Sequence, residues 1–91
     1  MTIQPWIVCA ANKHPESGRI ICGARHYDPI MRAQINASEG SESWKGCEQG
    51  FIDQFGKFYS REEALDIARR NRQIIRRCGG DERQLFSENL Y

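Results

Sequence analysis

The sequence predicts one small α+β domain over residues 1–91, built on an antiparallel sheet with two hairpins and two helices. Three observations predict this fold class: short apolar runs return across Pro- and Gly-containing turns, two segments carry helix-start signals, and the connections are short. With 91 residues, 40% of them hydrophobic, the chain has one thin core. The predicted order is β-β-α-β-β-α, followed by a C-terminal tail that docks on the body.

The N-terminal residues predict a hairpin. Residues 3–11 are apolar on both sides of an extended chain, which is typical of an interior strand. Residues 12–18 form a polar turn with Pro and Gly, and residues 19–23 return as the second strand. His14 lies in this turn, so we expect it to be exposed to solvent.

The first helix is predicted from its start. Asp28 offers an N-cap carboxylate, and Pro29 suits the first helical position. Apolar residues then recur at helical spacing, which predicts a helix over residues 29–38. Residues 39–43 (EGSES) follow as a solvated loop, the segment we expect to be most mobile.

The second half repeats the hairpin-then-helix plan. Residues 48–53 are predicted as the third strand and residues 58–59 as a short return strand. Ser60 and Glu63 form a capping box, and the helix that they start is expected to end between residues 71 and 78, ahead of two glycines.

The tail, residues 85–91, carries four apolar side chains that favour burial: Leu85, Phe86, Leu90 and Tyr91. We therefore expect it to pack against the domain.

Charge and hydropathy exclude several classes of protein. Thirteen Lys and Arg against twelve Asp and Glu give a formal net charge of +1, which excludes a strongly basic nucleic-acid wrapper. No apolar run approaches the ~18 residues of a transmembrane helix, and the first residues lack the features of a signal peptide. We expect an intracellular protein that does not enter a membrane.

The four cysteines show no C-x-x-C pair. Cys9, Cys22, Cys47 and Cys78 follow one another at spacings of 13, 25 and 31 positions. Structural zinc sites usually contain pairs of cysteines only a few residues apart, and this chain has none. Cys9 and Cys22 lie inside apolar runs, where a thiol behaves as a small hydrophobe. Buried free thiols are the prediction, with disulfides or a metal site as alternatives.

Catalytic motifs give no support for an enzyme. The sequence contains no G-x-S-x-G, H-E-x-x-H, P-loop or G-x-G-x-x-G. His26 and Asp28 could form a base and its orienting partner, but no motif supplies a nucleophile or a metal. We therefore expect no catalytic residues, no cofactor and no metal.

The strand-to-helix connection at residues 23–28 is a candidate anion site. A helix N-terminus presents free backbone N–H groups, Arg25 adds a bidentate donor, and His26 can donate at both nitrogens when protonated. The alternative is that Asp28 already caps the helix and that Arg25 pairs with a surface acid.

A basic stripe lies at the end of the second predicted helix, where five arginines fall within residues 69–77. It could bind RNA or DNA, although it lacks interleaved aromatic residues. Arginines late in a helix also favour its negative end without any ligand.

Polar and aromatic residues beside the ends of the predicted elements complete a candidate pocket wall. The residues predicted to bind a ligand are Arg25, His26, Tyr27, Gln49, Arg61, Gln73 and Tyr91.

Four separated strings carry a resemblance: GARHYD at 23–28, EQGFID at 48–53, REEA at 61–64 and SENLY at 87–91. Together they resemble a family of small proteins of tailed phages and prophages, and the resemblance covers most of residues 6–91. No catalytic residues come with it. Where that family has Gly-Gln after its second helix, this chain has Arg72-Gln73.

The resemblance implies a phage accessory protein that acts in the host cytoplasm, often against host defence. We expect it to sequester a nucleotide-derived, phosphate-bearing ligand, as a homo-oligomer. The alternatives are an inhibitor that covers a host defence enzyme, and a nucleic-acid binder that uses the arginine stripe.

Overall fold

The computed structural model describes residues 3–37, 46–77 and 83–90, and it confirms the predicted α+β class and element order. The elements are β1 (Ile7–Lys13), β2 (Ile20–Gly23), α1 (Pro29–Ala37), β3 (Glu48–Asp53), β4 (Phe58–Ser60), α2 (Arg61–Arg70) and a 3₁₀ turn (Ser87–Asn89). No helix in the described ranges is long and apolar enough to cross a membrane.

The four strands form one antiparallel sheet in the order β2-β1-β3-β4. β1 is therefore interior, as its continuous apolar sequence predicts. The register between β1 and β3 shifts between Ile7 and Cys9, so Val8 occupies a bulge.

Side chains alternate between two faces of this sheet, and the cross-strand register fixes which residues share a face. Ala10 and Phe51 are opposite each other and belong to one core cluster with Met31 of α1 and Ala64 of α2. Both helices thus pack on this side, which we call the covered face. The other side carries Cys9, Ala11, Lys13, Ile20, Cys22, Glu48, Gly50, Ile52 and Phe58, and we call it the open face.

The first strand starts later than the sequence predicts, at Ile7 instead of residue 3. The backbone of residues 4–6 bonds to the Gln54 side chain instead of pairing with a neighbouring strand. The Trp6 backbone N–H donates to Gln54 Oε1 (2.7 Å), and Gln54 Nε2 donates to the Gln4 carbonyl (2.8 Å). The strand also runs on to Lys13, two residues beyond the predicted end at residue 11.

His14 is buried, at 6% exposure, so the expectation that it faces solvent is wrong. Its Nδ1 accepts the backbone N–H groups of Glu16 and Ser17, both at 3.1 Å. The imidazole thus organises the turn from inside, a role that a polar sequence context does not reveal.

Both predicted helix starts are confirmed. Asp28 Oδ1 accepts the Met31 N–H at 2.8 Å at the start of α1. Ser60 and Glu63 form the reciprocal capping box of α2, with bonds of 3.2 Å and 3.0 Å.

The second helix ends at Arg70, one residue before the predicted range. Asn71 is its C-cap and donates through Nδ2 to the Pro5 carbonyl at 2.8 Å, while Arg72 adopts a left-handed backbone with φ of 54°. Long-range bonds to the N-terminal segment therefore stop the helix, and the arginine stripe does not lie on one helix.

The C-terminal tail docks on the body, as predicted, through Leu85, Ser87 and Asn89, which are fully or almost fully buried. The Leu85 N–H donates to the Arg61 carbonyl at 2.9 Å, and the Asn89 carbonyl accepts the Ile75 N–H at 2.8 Å. Tyr91 and the predicted loop at residues 39–43 lie outside the described residues.

Cys9, Cys22 and Cys47 are free thiols, but they are half-buried instead of buried. Cys9 and Cys22 lie on the open face of the sheet, where no described helix covers them. Burial, and then the neighbouring Cys22, raise the pKa of Cys9 to about 12, so Cys9 stays protonated at neutral pH. Cys78 is outside the described residues.

Candidate functional site

A group of polar side chains lies at one end of the covered face, between the start of α1 and the start of α2. We call this group the Arg61 cluster; its members are Asn12, His26, Tyr27, Cys47, Gln49 and Arg61. Asn12 and Gln49 are cross-strand partners in β1 and β3, so the sheet itself forms the floor of the cluster.

Arg61 is the first residue of α2, and its guanidinium is half-buried. Nη2 donates to Gln49 Oε1 at 2.7 Å, and Nη1 donates to the Leu85 carbonyl at 2.8 Å. The guanidinium carbon lies 4.8 Å from the centre of the Phe86 ring. Burial lowers the pKa of Arg61, and the nearby Glu88 partly offsets this. The cation is thus fixed in position by two neutral oxygens and an aromatic ring.

His26 is packed against the sheet as a neutral ring. Nε2 donates to the Gly50 carbonyl at 2.8 Å, and the ring meets Phe51 edge-on at 5.1 Å between centroids. Burial, and then the positive charge of Arg61, lower the pKa of His26 to about 4. Its Nδ1 is buried and has no hydrogen-bond partner among the described residues.

Tyr27 adopts a left-handed backbone, with φ of 59°, which is uncommon for a bulky residue. Its hydroxyl lies 3.7 Å from Cys47 Sγ, and burial, followed by the contact with Cys47, raises the pKa of the phenol. The side chain is still 40% exposed. A strained, partly exposed aromatic residue beside a polar cluster is an arrangement typical of functional sites.

Asn12 is fully buried beneath Tyr27 and Cys47. Its Nδ2 donates to Cys47 Sγ at 3.2 Å, and its Oδ1 is without a partner within the described ranges. Unsatisfied buried polar atoms are rare in folded proteins and often mark a binding or catalytic site. No group of three or more His, Cys, Asp and Glu side chains in the described ranges could hold a metal ion.

The structure brings together four of the seven residues that the sequence predicts as ligand-binding: His26, Tyr27, Gln49 and Arg61. Arg61 links to Gln49 by a hydrogen bond and lies close enough to His26 and Tyr27 to influence their pKa values.

Of the other three predicted residues, Arg25 and Gln73 do not join the cluster in the structure. Arg25 is exposed, and its backbone N–H donates to Asp28 Oδ2 at 3.2 Å. Gln73 pairs with the other end of β1, donating to the Ile7 carbonyl (2.8 Å) and accepting the Ile7 N–H (3.1 Å). Tyr91 is outside the described residues.

The start of α1 is occupied by the protein's own carboxylate. Asp28 accepts N–H bonds from Met31 and Arg25, and these bonds lower its pKa. His26 meanwhile faces β3. Asp28 therefore caps α1, as the alternative interpretation of this segment predicts, while His26 belongs to the Arg61 cluster.

Sequence reasoning missed Asn12 and Cys47. The sequence pattern predicts Asn12 in a polar turn and Cys47 as a buried free thiol. For Asn12 one signal was available: it directly follows an apolar strand, and an amide side chain that is buried there needs hydrogen-bond partners.

Comparison with protein families decides the relationship. A family model described as the phage T4 y16D protein matches residues 6–91. The chain belongs to this phage protein family. The match spans all six members of the Arg61 cluster. Searches of curated proteins and of solved structures give no significant match.

Proposed function

We propose that the chain is a phage accessory protein that binds a phosphate-bearing, nucleotide-derived ligand at the Arg61 cluster and so keeps it from a host defence system. Membership of a phage protein family supports the phage origin that the proposal assumes. The observation that carries the proposal is the state of Arg61: a half-buried cation whose two side-chain hydrogen bonds within the described ranges both go to neutral oxygens.

An anionic oxygen suits the donors that Arg61 retains. A guanidinium has five N–H donors, and the bonds to Gln49 and Leu85 use two of them. Partial burial strengthens a charge-assisted bond, and the fixed side chain loses little entropy when it binds. The guanidinium fork matches the geometry of phosphate and carboxylate oxygens, and phosphate is the one that a nucleotide carries.

The neighbours of Arg61 suit the rest of a nucleotide. The half-exposed Tyr27 ring offers a face on which a base can stack, and such stacking is worth about 1–3 kcal/mol per base. His26 is uncharged, so it adds no second positive charge beside Arg61. The cluster therefore combines one cation with an aromatic ring and neutral polar groups, a combination expected for a nucleotide more than for inorganic phosphate.

Calorimetric titration tests the proposal. Nucleoside monophosphates and cyclic dinucleotides are titrated into the parent protein, Arg61→Ala and Arg61→Lys. We expect Arg61→Ala to weaken binding by about 1.5–3 kcal/mol, or roughly 10- to 150-fold, with partial recovery in Arg61→Lys.

The matched control is Arg32→Ala, which removes the same charge from the exposed side of α1 and should leave affinity unchanged. Because Arg61 also holds the tail, a second variant is needed that spares those bonds. Tyr27→Gly removes the stacking ring while relieving the left-handed backbone, so it should stay folded and still lose affinity. No binding of any nucleotide by the parent at millimolar concentration would overturn the proposal.

An inhibitor that covers a host defence enzyme is the second candidate function. The apolar open face of the sheet favours it, because exposed apolar patches of this kind mark protein interfaces. This candidate takes precedence if the titration fails and the open face is found to bind a foreign protein. The arginines of residues 69–77 carry the weaker nucleic-acid alternative.

A further inference from the structure

The open face is an apolar surface without a covering layer in the described part of the chain. Cys9, Cys22, Ile52 and Phe58 are each half-buried there, and Ile20 is 40% exposed. Trp6 and Val8 adjoin this face at the start of β1 and are 46% and 45% exposed. A sheet that is apolar on both sides normally has both sides covered.

The shape of the molecule agrees with a missing layer. Its extents are 40 × 35 × 20 Å, and the short dimension fits one sheet and one layer of helices at the ~10 Å spacing of packed layers. The broad dimensions are large enough for a standard interface, which buries about 800 Å² on each partner.

Small residues occupy the centre of the open face. Gly50 and Ala11 are cross-strand partners, both buried, and a Cβ on Gly50 would run into the Phe58 ring and the Tyr59 carbonyl. The Phe58 ring therefore lies over Gly50, and Lys13 Nζ lies 5.7 Å from the centre of that ring. A centre of small residues beneath one aromatic ring is suited to a second sheet, which approaches face to face.

The charged residues on this face decide which partner fits. Lys13 and Glu48 are cross-strand partners, both exposed, and they are the charged residues of the open face as defined. The face is therefore electrically neutral and carries one charge of each sign. A two-fold packing can bring Lys13 of one copy towards Glu48 of the partner subunit, so the surface supplies its own complement.

We propose that a second copy of this chain docks on the open face, sheet against sheet, to form a two-fold symmetric dimer with its helices on the outside. The Arg61 cluster lies on the opposite, covered face of each protomer. The dimer therefore leaves both clusters accessible, and its existence does not depend on the proposed ligand.

Light scattering after size exclusion, from about 1 to 300 μM protein, measures the association. We expect the parent chain to shift from monomer to dimer across this range. Ile20→Asp, on the open face, should remain monomeric throughout. Ile30→Asp is the matched control: Ile30 is 61% exposed on α1, a helix that packs on the covered face through Met31, and this variant should dimerise like the parent.

Charge exchange tests the two-fold arrangement without burying a new charge. Lys13→Glu and Glu48→Lys should each weaken the dimer severalfold, because like charges then meet across the interface. The double variant that carries both changes should recover it. Far-UV circular dichroism confirms that each variant is folded.

Thiol labelling provides a readout specific to the face. Cys9 and Cys22 should react more slowly with a maleimide at 300 μM than at 1 μM protein, while the rate at Cys47, on the covered face, should not change; peptide mapping separates the thiols. A strict monomer at 300 μM with concentration-independent labelling would overturn the proposal. A monomer whose open face instead binds a purified host protein would also overturn it and would favour the inhibitor function.

Discussion

His26 shows how one buried ring couples stability to pH. Its pKa falls from an ordinary value of 6.5 to about 4 in the folded protein, so the unfolded chain takes up a proton first as the pH drops. The stability from neutral His26 is therefore complete above pH 6.5 and is lost as the pH falls from there to about 4. The ceiling is about 1.4 kcal/mol per pH unit, and screening at a half-buried ring lowers it.

Replacement of this ring should flatten the pH dependence. We expect His26→Gln to be less stable than the parent at pH 7, because it loses the contact with Phe51, and to lose less further stability between pH 7 and pH 4.5. Urea unfolding of both proteins at the two pH values measures the difference. The carboxylates contribute equally to both, so parallel losses would show that His26 does not carry this dependence.

The same residue marks the limit of sequence reasoning about the site. The string at 23–28 predicts donors near a helix start, and it assumes that His26 can be protonated. The structure turns the ring onto Gly50 and beside Arg61, which comes from a helix 35 positions later in the sequence. Protonation depends on those tertiary neighbours, and local sequence does not contain them.

Among the elements, α2 offers the clearest test, because its capping box was predicted from residues alone and is confirmed. Ser60→Ala removes the acceptor for the Glu63 N–H and should cost about 0.5–2 kcal/mol of unfolding free energy. Ligand binding should be largely retained, since Arg61 keeps its own partners. Asp66→Ala, at an exposed position in the same helix, is the control and should stay within about 0.5 kcal/mol of the parent. A Ser60→Ala protein that melts like the parent but binds nothing would contradict this assignment.

Element boundaries were predictable where the signal is local and not where it is long-range. The start of β3 and the starts of both helices follow from turn and cap residues beside them. The start of β1 and the end of α2 depend instead on Gln54 and Asn71, whose amides bond to the segment of residues 4–6. No pattern within a short window reports such bonds.

For the whole molecule, the C-terminal tail links stability to the candidate site. It passes beside the start of α2, where the Leu85 backbone makes two hydrogen bonds to Arg61. The Leu85 N–H donates to the Arg61 carbonyl, and the Leu85 carbonyl accepts from the Arg61 guanidinium. The Phe86 ring packs against the same guanidinium. Apolar composition predicted that the tail docks, but the position at which it does so depends on these contacts.

Removal of the buried anchor of the tail should therefore weaken the whole domain. Leu85 is fully buried within the core cluster, so Leu85→Ala is expected to cost about 2–5 kcal/mol. Leu90→Ala, at a half-buried position in the same tail, should cost less.

Urea unfolding, followed by both tryptophan fluorescence and far-UV circular dichroism, measures each loss and tests whether the tail unfolds with the sheet. Because the tail is bonded to α2 and to residues 75 and 76, we expect one transition with both probes. Separate transitions, or a loss at Leu85 no larger than at Leu90, would mean that the tail is an appendage and that Arg61 is positioned without it.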